Sequence, residues 1–522
     1  MNVDDGIKLL APEMVLVATA LLVILCDAFD GVMRVKNKNY LIVIALIGII
    51  VAVLTVALLW NGDIPQSGLL GSVMLDKFAL FFKSLALGIC AITLIILKDW
   101  VAVKNKYHGE YIALLLLSTV GVMVISSATE LISIYVAIEL VTLPLIALVA
   151  LGKDTRSAES GIKFLILSAL SSGSLLYGFV LLYAITGTTY TAELSNQIIN
   201  GFGENSLALL MAISFIIAGF GFKVSAVPFQ MWVPDVYEGS PIPVVAFLST
   251  ASKAAGFAIF LRLFQTSFTQ VDVDWWMLIA IISVASMTIG NIGAIAQSNI
   301  KRLLGYSTIA HAGYILVGVT VLVSPAATLG VQSVLFYIAG YAFTNLTAFM
   351  CVMTISHKIK SENIDDFAGI STSSPWLAAI LVLSFVSLLG LPPTVGLMGK
   401  IFLFNAAVQA DLAWLALVGF LNSVVSAYYY LKVIRVVYST SEVAPSTIKT
   451  SLVSMATLFV LSIGIILLGI LPGMLLAVAD SAAHAIIGCF FVAEQTNHGY
   501  FPYLFGFNQT CWIRHSGERE CC

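Results

Sequence analysis

The chain has 522 residues, of which 60% are hydrophobic and 10% are charged. A soluble globular protein carries about 25% charged residues, so this composition excludes a soluble protein and indicates a polytopic membrane protein. The formal net charge of −3 gives no basic excess for binding a nucleic acid, and the seven cysteines include no CxxC pair. The cysteine spacing therefore argues against a zinc ribbon, a disulfide scaffold and a cysteine-ligated iron–sulfur cluster.

Fourteen apolar stretches approach the roughly 20 residues that a spanning helix requires, and we number them as spans 1 to 14. They cover residues 9–29, 40–60, 76–97, 111–127, 130–151, 162–185, 206–230, 241–264, 276–297, 302–323, 330–355, 375–407, 412–438 and 451–478. Span 12 is too long for one straight helix and contains Pro392-Pro393, so we expect a break there. The first stretch lacks the features of a cleaved signal peptide, and we expect it to remain as span 1.

The basic residues of the connecting loops fall on alternate loops. They are Arg34, Lys36, Lys38, Lys98, Lys104, Lys106, Lys153, Arg156, Lys301, Arg302, Lys358, Lys360 and Lys449. The intervening loops at 61–75, 186–205, 265–275 and 324–329 contain no Lys or Arg. Because cytoplasmic loops are enriched in Lys and Arg, this alternation predicts both termini on the non-cytoplasmic side of the cell (inner) membrane. On the cytoplasmic side, only the 231–240 loop lacks a basic residue.

Four ionisable residues lie in the middle of predicted spans. They are Glu139 in span 5, Lys223 in span 7, Lys253 in span 8 and Lys400 in span 12. A charged side chain at the centre of a bilayer costs roughly 2.5–3.5 kcal/mol on insertion scales, so such residues indicate a functional site. Glu139 is too short to reach the lipid headgroups, and Lys223 and Lys253 have long apolar stretches on both sides.

Four further residues have two interpretations each. Lys83, Lys163 and Lys432 either extend their aliphatic stems so that the amine reaches the headgroups, or they serve a buried site. His311, in span 10, is either a hydrogen-bonded core histidine or a proton relay.

Prolines break two of the helices that carry a lysine. Pro228 has no N–H group and leaves the carbonyl of Val224 without its helical partner, close to Lys223. Pro392-Pro393 likewise frees the carbonyls of Leu388 and Leu389, close to Lys400. Irregular backbone at membrane depth is tolerated where it is buried in protein or lines a hydrated cavity. The two breaks therefore predict two hydrated sites, with an ordinary packed proline kink as the alternative at each.

The order of these features predicts an all-α protein with an internal repeat. Phe247-Leu248 precedes Arg262 by the same spacing as Phe420-Leu421 precedes Arg435, and span 7 then corresponds to span 12. The two repeat units are spans 4–8 and spans 9–13. Each has five spans, an odd number, so the second repeat unit must be inverted relative to the first. The predicted units are 1–105 with spans 1–3, 106–270 with spans 4–8, 271–440 with spans 9–13, and 441–522 with span 14 and the tail.

The sequence gives no indication of a bound cofactor. Of the six histidines, only His311 lies clearly within a span, so no histidine pair is placed to hold a haem between helices. No glycine-rich nucleotide loop follows a strand. We expect this chain to contain neither a cofactor nor a metal.

Three segments resemble the signatures of one family. KVSAVPFQMWVPDVYEGSP in span 7 is similar to KxxxxPFHxWxPDxYEGxP, with Gln230 where many members have His. GLPPTVGLMGK in span 12 is similar to GxPxxxGFxGK, with Leu397 in place of Phe, and IYVAIEL matches the segment with the family glutamate. These signatures are those of the antiporter-like subunits of respiratory complex I (NADH:quinone oxidoreductase) and of the related Mrp cation/proton antiporters. The resemblance covers about residues 10–480.

Within that family the sequence is most similar to the subunit N group. It has fourteen spans without the long lateral helix of subunit L, and it has Lys400 where subunit M usually has Glu. Pro12-Glu13 early in span 1 also resembles subunit N.

The resemblance implies a proton-translocating subunit without redox centres. Its partners would be the M, L, K, J, A and H type membrane subunits and the lipid bilayer, while NAD, FMN, iron–sulfur clusters and quinone would bind to partner subunits. It implies that Glu139 pairs with Lys223, that Lys253 is a central relay and that Lys400 leads outside. Possible accessory relays are Lys163, His311 and Lys432. The alternatives are an Mrp-type sodium/proton antiporter subunit and a non-transporting scaffold.

Overall fold

The computed structural model describes residues 8–33, 38–62, 66–104, 108–152, 154–201, 206–269, 271, 273–440, 448 and 450–496. The described part contains 13 helices that are long and apolar enough to cross a membrane. Two shorter apolar helices, Pro375–Leu389 and Val395–Gln409, occupy predicted span 12. The helical, multi-pass architecture is therefore confirmed. The tail of the predicted 441–522 unit lies outside the described residues from 497 onwards.

We label the spanning helices so that their numbers match the predicted spans. They are α1 Ala11–Met33, α2 Asn39–Trp60, α3 Lys77–Lys104, α4 His108–Ser127, α5 Leu131–Ala150, α6 Thr155–Thr186, α7 Ser206–Val224, α8 Ile242–Ser267, α9 Trp275–Ile295, α10 Ile300–Thr320, α11 Ala327–Ile359, α12a Pro375–Leu389, α12b Val395–Gln409, α13 Ala413–Tyr438 and α14 Leu452–Ile470. The helix Gly473–Thr496, whose apolar part is shorter than a span, follows as α15.

The structure corrects the predicted ends of two spans. α7 ends at Val224, before Pro228, and the chain resumes as the short helix Trp232–Gly239, so span 7 does not continue to residue 230. α14 ends at Ile470, and residues from Gly473 onwards form the separate helix α15. Pro472 stands between the two helices and has no N–H group with which to extend α14.

The break in span 12 is confirmed. α12a ends at Leu389 and α12b begins at Val395, with Pro392-Pro393 between them. Gly390 caps α12a in the left-handed conformation, with φ of 87°, which glycine adopts without the steric cost of a Cβ. α8 has an irregularity that its sequence does not indicate, because Leu248–Ser252 forms a π-helical turn directly before Lys253.

Small elements connect the spans. A two-stranded antiparallel hairpin, β1 Gln66–Gly68 and β2 Val73–Leu75, precedes α3, so the fold is not purely helical. The short helix Thr191–Gly201 lies between α6 and α7, and Ile364–Phe367 and Ile370–Ser373 lie between α11 and α12a.

The loops meet in two groups, as the charge alternation requires. On one side, Val73 bridges to Ala128 and Glu130 bridges to Tyr190, which brings together the loops before α3, α5 and α7. On the other side, Asn299 bridges to Asn363, which joins the α9–α10 and α11–α12a loops. The second group contains the basic loops, so it is the side predicted to be cytoplasmic.

The central helices carry the polar residues of the interior. In the spanning windows of α8, α10 and α11, 94%, 89% and 89% of the residues are buried. The corresponding figures for α6, α13 and α14 are 33%, 33% and 28%, so these helices form the periphery and present apolar side chains outwards. The inverted repeat and the unit boundaries stay predictions, although both broken helices occur where the repeat requires them.

Candidate functional site

Lys400 lies inside the break of span 12. Its Nζ donates to the carbonyls of Leu388 at 3.2 Å and Leu389 at 2.8 Å, and to the Ser423 hydroxyl at 2.7 Å. These two carbonyls are the ones freed by Pro392-Pro393, so the break supplies acceptors to the amine. Nζ also lies 4.9 Å from the centre of the Tyr314 ring, within cation–π distance.

Lys253 is buried at the centre of the molecule, directly after the π turn of α8. Its Nζ donates to the backbone carbonyl of Thr308 in α10 and lies 5.5 Å from the centre of the Tyr341 ring. The Thr308 hydroxyl is 2.9 Å from the Tyr341 hydroxyl. Lys253 therefore contacts polar groups of both α10 and α11.

His311 lies between Lys253 and Lys400. Its Nδ1 is 2.6 Å from the Tyr337 hydroxyl and its Nε2 is 3.2 Å from the Tyr430 hydroxyl. The charges of both lysines act on the imidazole, so His311 is within electrostatic range of both amines. Because each ring nitrogen has a hydroxyl partner, the imidazole can exchange a proton at either end.

Glu139 and Lys223 both contact polar side chains that lie one turn apart on α5 and α6. Lys223 Nζ donates to Thr142 Oγ1 at 2.6 Å and lies 3.5 Å from Ser168 Oγ, while the Ser172 hydroxyl donates to Glu139. Thr142 is one turn after Glu139 on α5, and Ser172 is one turn after Ser168 on α6. Among the described residues no direct hydrogen bond joins Glu139 to Lys223, but the carboxylate is within electrostatic range of the amine.

A small cavity separates Lys223 from the α8 turn that precedes Lys253. Its volume is about 10 Å³, and Thr142, Lys223 and Ser252 contribute its polar lining. This is close to the smallest space that holds one water molecule. The arrangement therefore runs from Glu139 and Lys223, through this cavity, towards Lys253.

Glu139 and Lys223 are only half-buried in this chain. The Glu139 carboxylate is therefore less buried than its mid-span position suggests, and its functional role stays a prediction. α6 is a peripheral helix and only 50% of the spanning window of α5 is buried, so the Glu139 side chain lies near the outer surface of the bundle rather than at its centre.

Lys163 and Lys432 lie away from this central group. Lys163 is 43% exposed and pairs with Glu159 at 2.7 Å and Asp235 at 2.9 Å. Lys432 is half-buried on α13, and within the described residues it has no hydrogen bond or ion pair. The interpretation of Lys163 as a surface-reaching lysine fits its exposure.

Asp235 joins helices of both predicted units. It accepts from Lys163 and from Arg302 Nη1 at 2.8 Å, and Arg302 also pairs with Glu238 at 2.9 Å. Partial burial opposes ionisation of Asp235, but the hydrogen bonds from Lys163 and Arg302 hold the pKa of its carboxyl below the usual value. The 231–240 loop has no basic residue because it supplies the acidic partners of its neighbours' basic residues.

Two buried ion pairs were not anticipated. Lys83 Nζ lies 2.8 Å from Glu13 Oε1, with side chains 0% and 5% exposed, so the headgroup interpretation of Lys83 is wrong. Arg262 Nη2 binds Asp76 at 2.8 Å, and both side chains are buried. Each pair joins helices from different parts of the chain, and sequence spacing gives no signal for such contacts.

The comparisons with known proteins agree with this architecture. The family described as "NADH:quinone oxidoreductase/Mrp antiporter, TM" matches residues 128–426. "NADH-quinone oxidoreductase subunit N" of Dehalococcoides mccartyi is 39% identical over 487 residues, covering 92% of this chain and 99% of that protein. The chain belongs to the NADH:quinone oxidoreductase/Mrp antiporter family. Within this family, the chain resembles the subunit N group. The subunit N protein of Trichlorobacter lovleyi is also similar to it, with 38% identity over 484 residues.

Solved structures of the NADH:quinone oxidoreductase/Mrp antiporter family share the fold. A chain of "Respiratory complex I from Thermus thermophilus with bound Aureothin" is 28% identical and has a TM-score of 0.73, covering 90% of this chain and 99% of that one. A chain of the "Mrp complex from Dietzia" has a TM-score of 0.79 at 20% identity, covering 93% and 99%, and this likeness concerns the fold alone.

Proposed function

We propose that this chain is a proton-translocating membrane subunit of a redox-driven NADH:quinone oxidoreductase. The observation that carries the proposal is the buried group of proton-binding side chains Lys253, His311 and Lys400. The hydroxyls of Tyr337 and Tyr430 contact the imidazole, and the Thr308 and Tyr341 hydroxyls lie beside Lys253. Buried amines at membrane depth are costly, so their placement in one line favours transport over a scaffold role.

The hydrogen-bond acceptors around Lys400 and Lys253 favour different protonation states of the two lysines. An ammonium group has three N–H donors, and Lys400 has three acceptors within 3.2 Å. Lys253 has one acceptor among the described residues, the Thr308 carbonyl. Because hydrogen bonds to a charged form stabilise it, Lys400 holds a proton more strongly than Lys253 in this state. A proton therefore moves downhill from Lys253, through His311, to Lys400.

The Glu139–Lys223 pair can control the supply of protons to Lys253, His311 and Lys400. A carboxylate near an amine favours the ammonium form, and burial favours the neutral form. Moving or neutralising Glu139 would therefore release a proton from Lys223 towards the small cavity beside Ser252. Such a switch requires no substrate site and no metal.

The chemistry of the line favours protons over sodium. A sodium ion is bound by oxygen ligands, whereas the side chains at the centre of this line are amines and an imidazole. An ammonium group repels a cation, while its neutral form accepts a proton directly. We therefore place the chain with the proton-translocating members rather than with an Mrp-type sodium/proton antiporter.

In this proposal the chain works within a larger assembly in the inner membrane. Partner subunits, including those of M, L, K, J, A and H type, would hold NAD, FMN, the iron–sulfur clusters and the quinone. Both termini would lie on the non-cytoplasmic side. The named relatives of subunit N type and the complex I chain of similar fold support this assignment.

The test is proton pumping by complex purified with a tagged chain and reconstituted into liposomes. Lys400→Ala is expected to assemble but to pump slowly, with slower quinone reduction, because electron transfer works against a blocked proton step. Lys432→Ala is the matched control, since it removes a half-buried lysine of the same half of the chain from outside the line. Normal pumping rate and stoichiometry in assembled Lys400→Ala complex would contradict the proposal, and sodium-dependent transport would support the Mrp-type alternative.

A further inference from the structure

Asn345 joins the π turn of α8 to the side chains around Lys253. It lies on α11, one turn after Tyr341, and is buried. Its Nδ2 donates to Ser249 Oγ at 2.7 Å and to the Tyr341 hydroxyl at 3.0 Å. Ser249 belongs to the π turn that directly precedes Lys253, and the Tyr341 ring faces the amine of that lysine. An amide neither binds nor releases a proton here, so any role of Asn345 lies in what it holds in place.

The hydroxyl of Ser249 fixes the orientation of this amide. Ser249 Oγ donates its single proton to the carbonyl of Ala246 at 2.9 Å. Its oxygen can therefore only accept from Asn345, so the NH₂ group of the amide, and not the carbonyl oxygen, faces Ser249. The NH₂ group has two N–H bonds, and the second is available for the Tyr341 hydroxyl. Both donors of Asn345 are therefore engaged.

The same amide gives the Tyr341 hydroxyl a direction. The Tyr341 oxygen accepts from Asn345, and its other hydrogen-bonding neighbour among the described residues is the Thr308 hydroxyl at 2.9 Å. If Thr308 donated to Tyr341, the phenolic proton would be buried without an acceptor, which is costly. Tyr341 therefore donates to Thr308, whose backbone carbonyl accepts from Lys253. The hydrogen bonds run in one direction, from Asn345 through Tyr341 to Thr308.

Asn345 also separates two groups of hydroxyls. On one side is the Tyr341 hydroxyl beside Lys253, and on the other is the π turn, whose Ser252 lines the small cavity beside Lys223. A carboxylate, a hydroxyl or a water molecule between the two groups would accept and donate protons in turn. The amide of Asn345 donates two N–H bonds and releases neither proton. No proton therefore passes between Tyr341 and the π turn.

We propose that Asn345 is a positioning residue that makes proton transfer at Lys253 one-way. It holds the Tyr341 hydroxyl as a donor to Thr308, and it blocks a return route from Lys253 through the π turn of α8. Asn345 takes up no proton itself and acts through Tyr341. The inference deepens the proposed function and rests on it, because a return route matters only where Lys253 carries protons.

Asn345→Asp would open the return route while keeping the shape of the side chain. An ionised carboxylate accepts hydrogen bonds, so Tyr341 would turn its proton away from Thr308 and towards the carboxylate. The Lys253 ammonium could then give a proton to the Thr308 hydroxyl, the Thr308 proton would pass to the Tyr341 oxygen, and the phenolic proton would pass to the carboxylate. Only N–H and O–H bonds form and break in this sequence.

The test measures the protons moved per NADH oxidised by assembled complex reconstituted into liposomes. Asn345→Asp is expected to lower this ratio and to keep NADH oxidation close to the wild-type rate, because a return route wastes protons without blocking electron transfer. Tyr341→Phe/Asn345→Asp is expected to recover the ratio, since the route no longer has the Tyr341 hydroxyl. Thr347→Val is the matched control, because Thr347 is buried on α11 and its hydroxyl donates within its own helix, to the Phe343 carbonyl. It should keep the wild-type ratio.

Two results would overturn the role of Asn345. One is a wild-type ratio in assembled Asn345→Asp complex. The other is an equally low ratio with and without the Tyr341 hydroxyl, which would assign the loss to the charge of the carboxylate. If that charge prevents assembly, Asn345→Ser gives the same readout with a neutral group that accepts and donates, and a wild-type ratio again overturns the role. Wild-type pumping by Lys253→Ala would instead overturn the proposed function, so the two failures are distinguishable.

Discussion

Lys400 donates a 2.8 Å hydrogen bond to the backbone carbonyl of Leu389, at the end of the helix half that precedes it in the chain. The lysine of α12b thus completes the hydrogen bonding of α12a. The geometry of the break and the protonation of the amine are therefore coupled, since a neutral amine has two N–H donors for the three acceptors that the ammonium group satisfies.

The first prediction concerns Gly390, which caps α12a beside this lysine. Its φ of 87° disfavours any residue with a Cβ, and an added Cβ would lie 3.0 Å from Lys400 Cδ. Gly390→Ala should cost about 1–2 kcal/mol in backbone strain and also displace the amine, so pumping should fall. The measurement is proton pumping together with the amount of assembled complex.

Gly187→Ala is the control for this prediction. Gly187 also has a positive φ, of 71°, but an added Cβ would meet nothing within 4 Å. It should lose similar stability and keep wild-type pumping. Equal pumping defects in the two variants would show that backbone strain alone, and not the Lys400 contact, is responsible.

The second prediction concerns the buried pair of Glu13 and Lys83. Removing one partner of a buried pair leaves an uncompensated charge, which typically costs about 3–5 kcal/mol. Glu13→Gln should therefore lower the thermal stability of the detergent-purified complex and reduce assembly of α1 against α3. The double variant Glu13→Gln/Lys83→Met should recover part of the loss, whereas additive losses would indicate that the two residues act independently.

The third prediction concerns the pH dependence of the Asp235 contacts. The pKa of Asp235 is lowered in the fold, although its burial works in the opposite direction, because Lys163 and Arg302 stabilise the carboxylate. A carboxyl with a lowered folded-state pKa adds stability above its unfolded value of about 3.9, and this is lost as the pH falls through the folded value. Asp235→Asn should therefore lower the unfolding temperature at neutral pH and have little effect at strongly acidic pH.

Asp365→Asn serves as the control for that experiment, since Asp365 is an exposed carboxylate of the α11–α12a connection. It should shift the unfolding temperature little at any pH. A deficit of Asp235→Asn that persisted unchanged at acidic pH would show that the carboxylate charge does not stabilise the contacts.

The sequence anticipated the features that follow from local chemistry. Pro392-Pro393 removes two N–H donors, so the freed Leu388 and Leu389 carbonyls could be named in advance, and Lys400 binds both. The number of spans and the alternation of loops follow from apolar length and loop charge, which are also local properties.

The partners of the central residues depended on packing between distant helices. Nothing in the spacing of Tyr341 or Tyr430 identifies them as neighbours of Lys253 and His311, because aromatic residues are common in any apolar helix. The importance of their hydroxyls is visible only in the fold, where α10, α11 and α13 pack together. The half-buried position of Glu139 likewise depends on which helices lie at the periphery.

The fourth prediction concerns coupling between Glu139 and Lys223. In Glu139→Gln, Lys223 loses the nearby negative charge that favours its ammonium form and should carry protons poorly. Glu139→Asp keeps the charge on a shorter stem and should retain partial pumping. If the two residues act together, Glu139→Gln/Lys223→Ala should pump no worse than the poorer single variant. Losses that add, or full activity of Glu139→Gln, would exclude this coupling.

The central claim is that protons cross the membrane along the line from Lys253 through His311 to Lys400. The most direct test is the number of protons moved per NADH oxidised by reconstituted complex with Lys253→Ala, compared with wild type and with Lys432→Ala. The account predicts a lower rate and fewer protons per NADH for assembled Lys253→Ala, and wild-type values for Lys432→Ala. Wild-type rate and stoichiometry in assembled Lys253→Ala would contradict it.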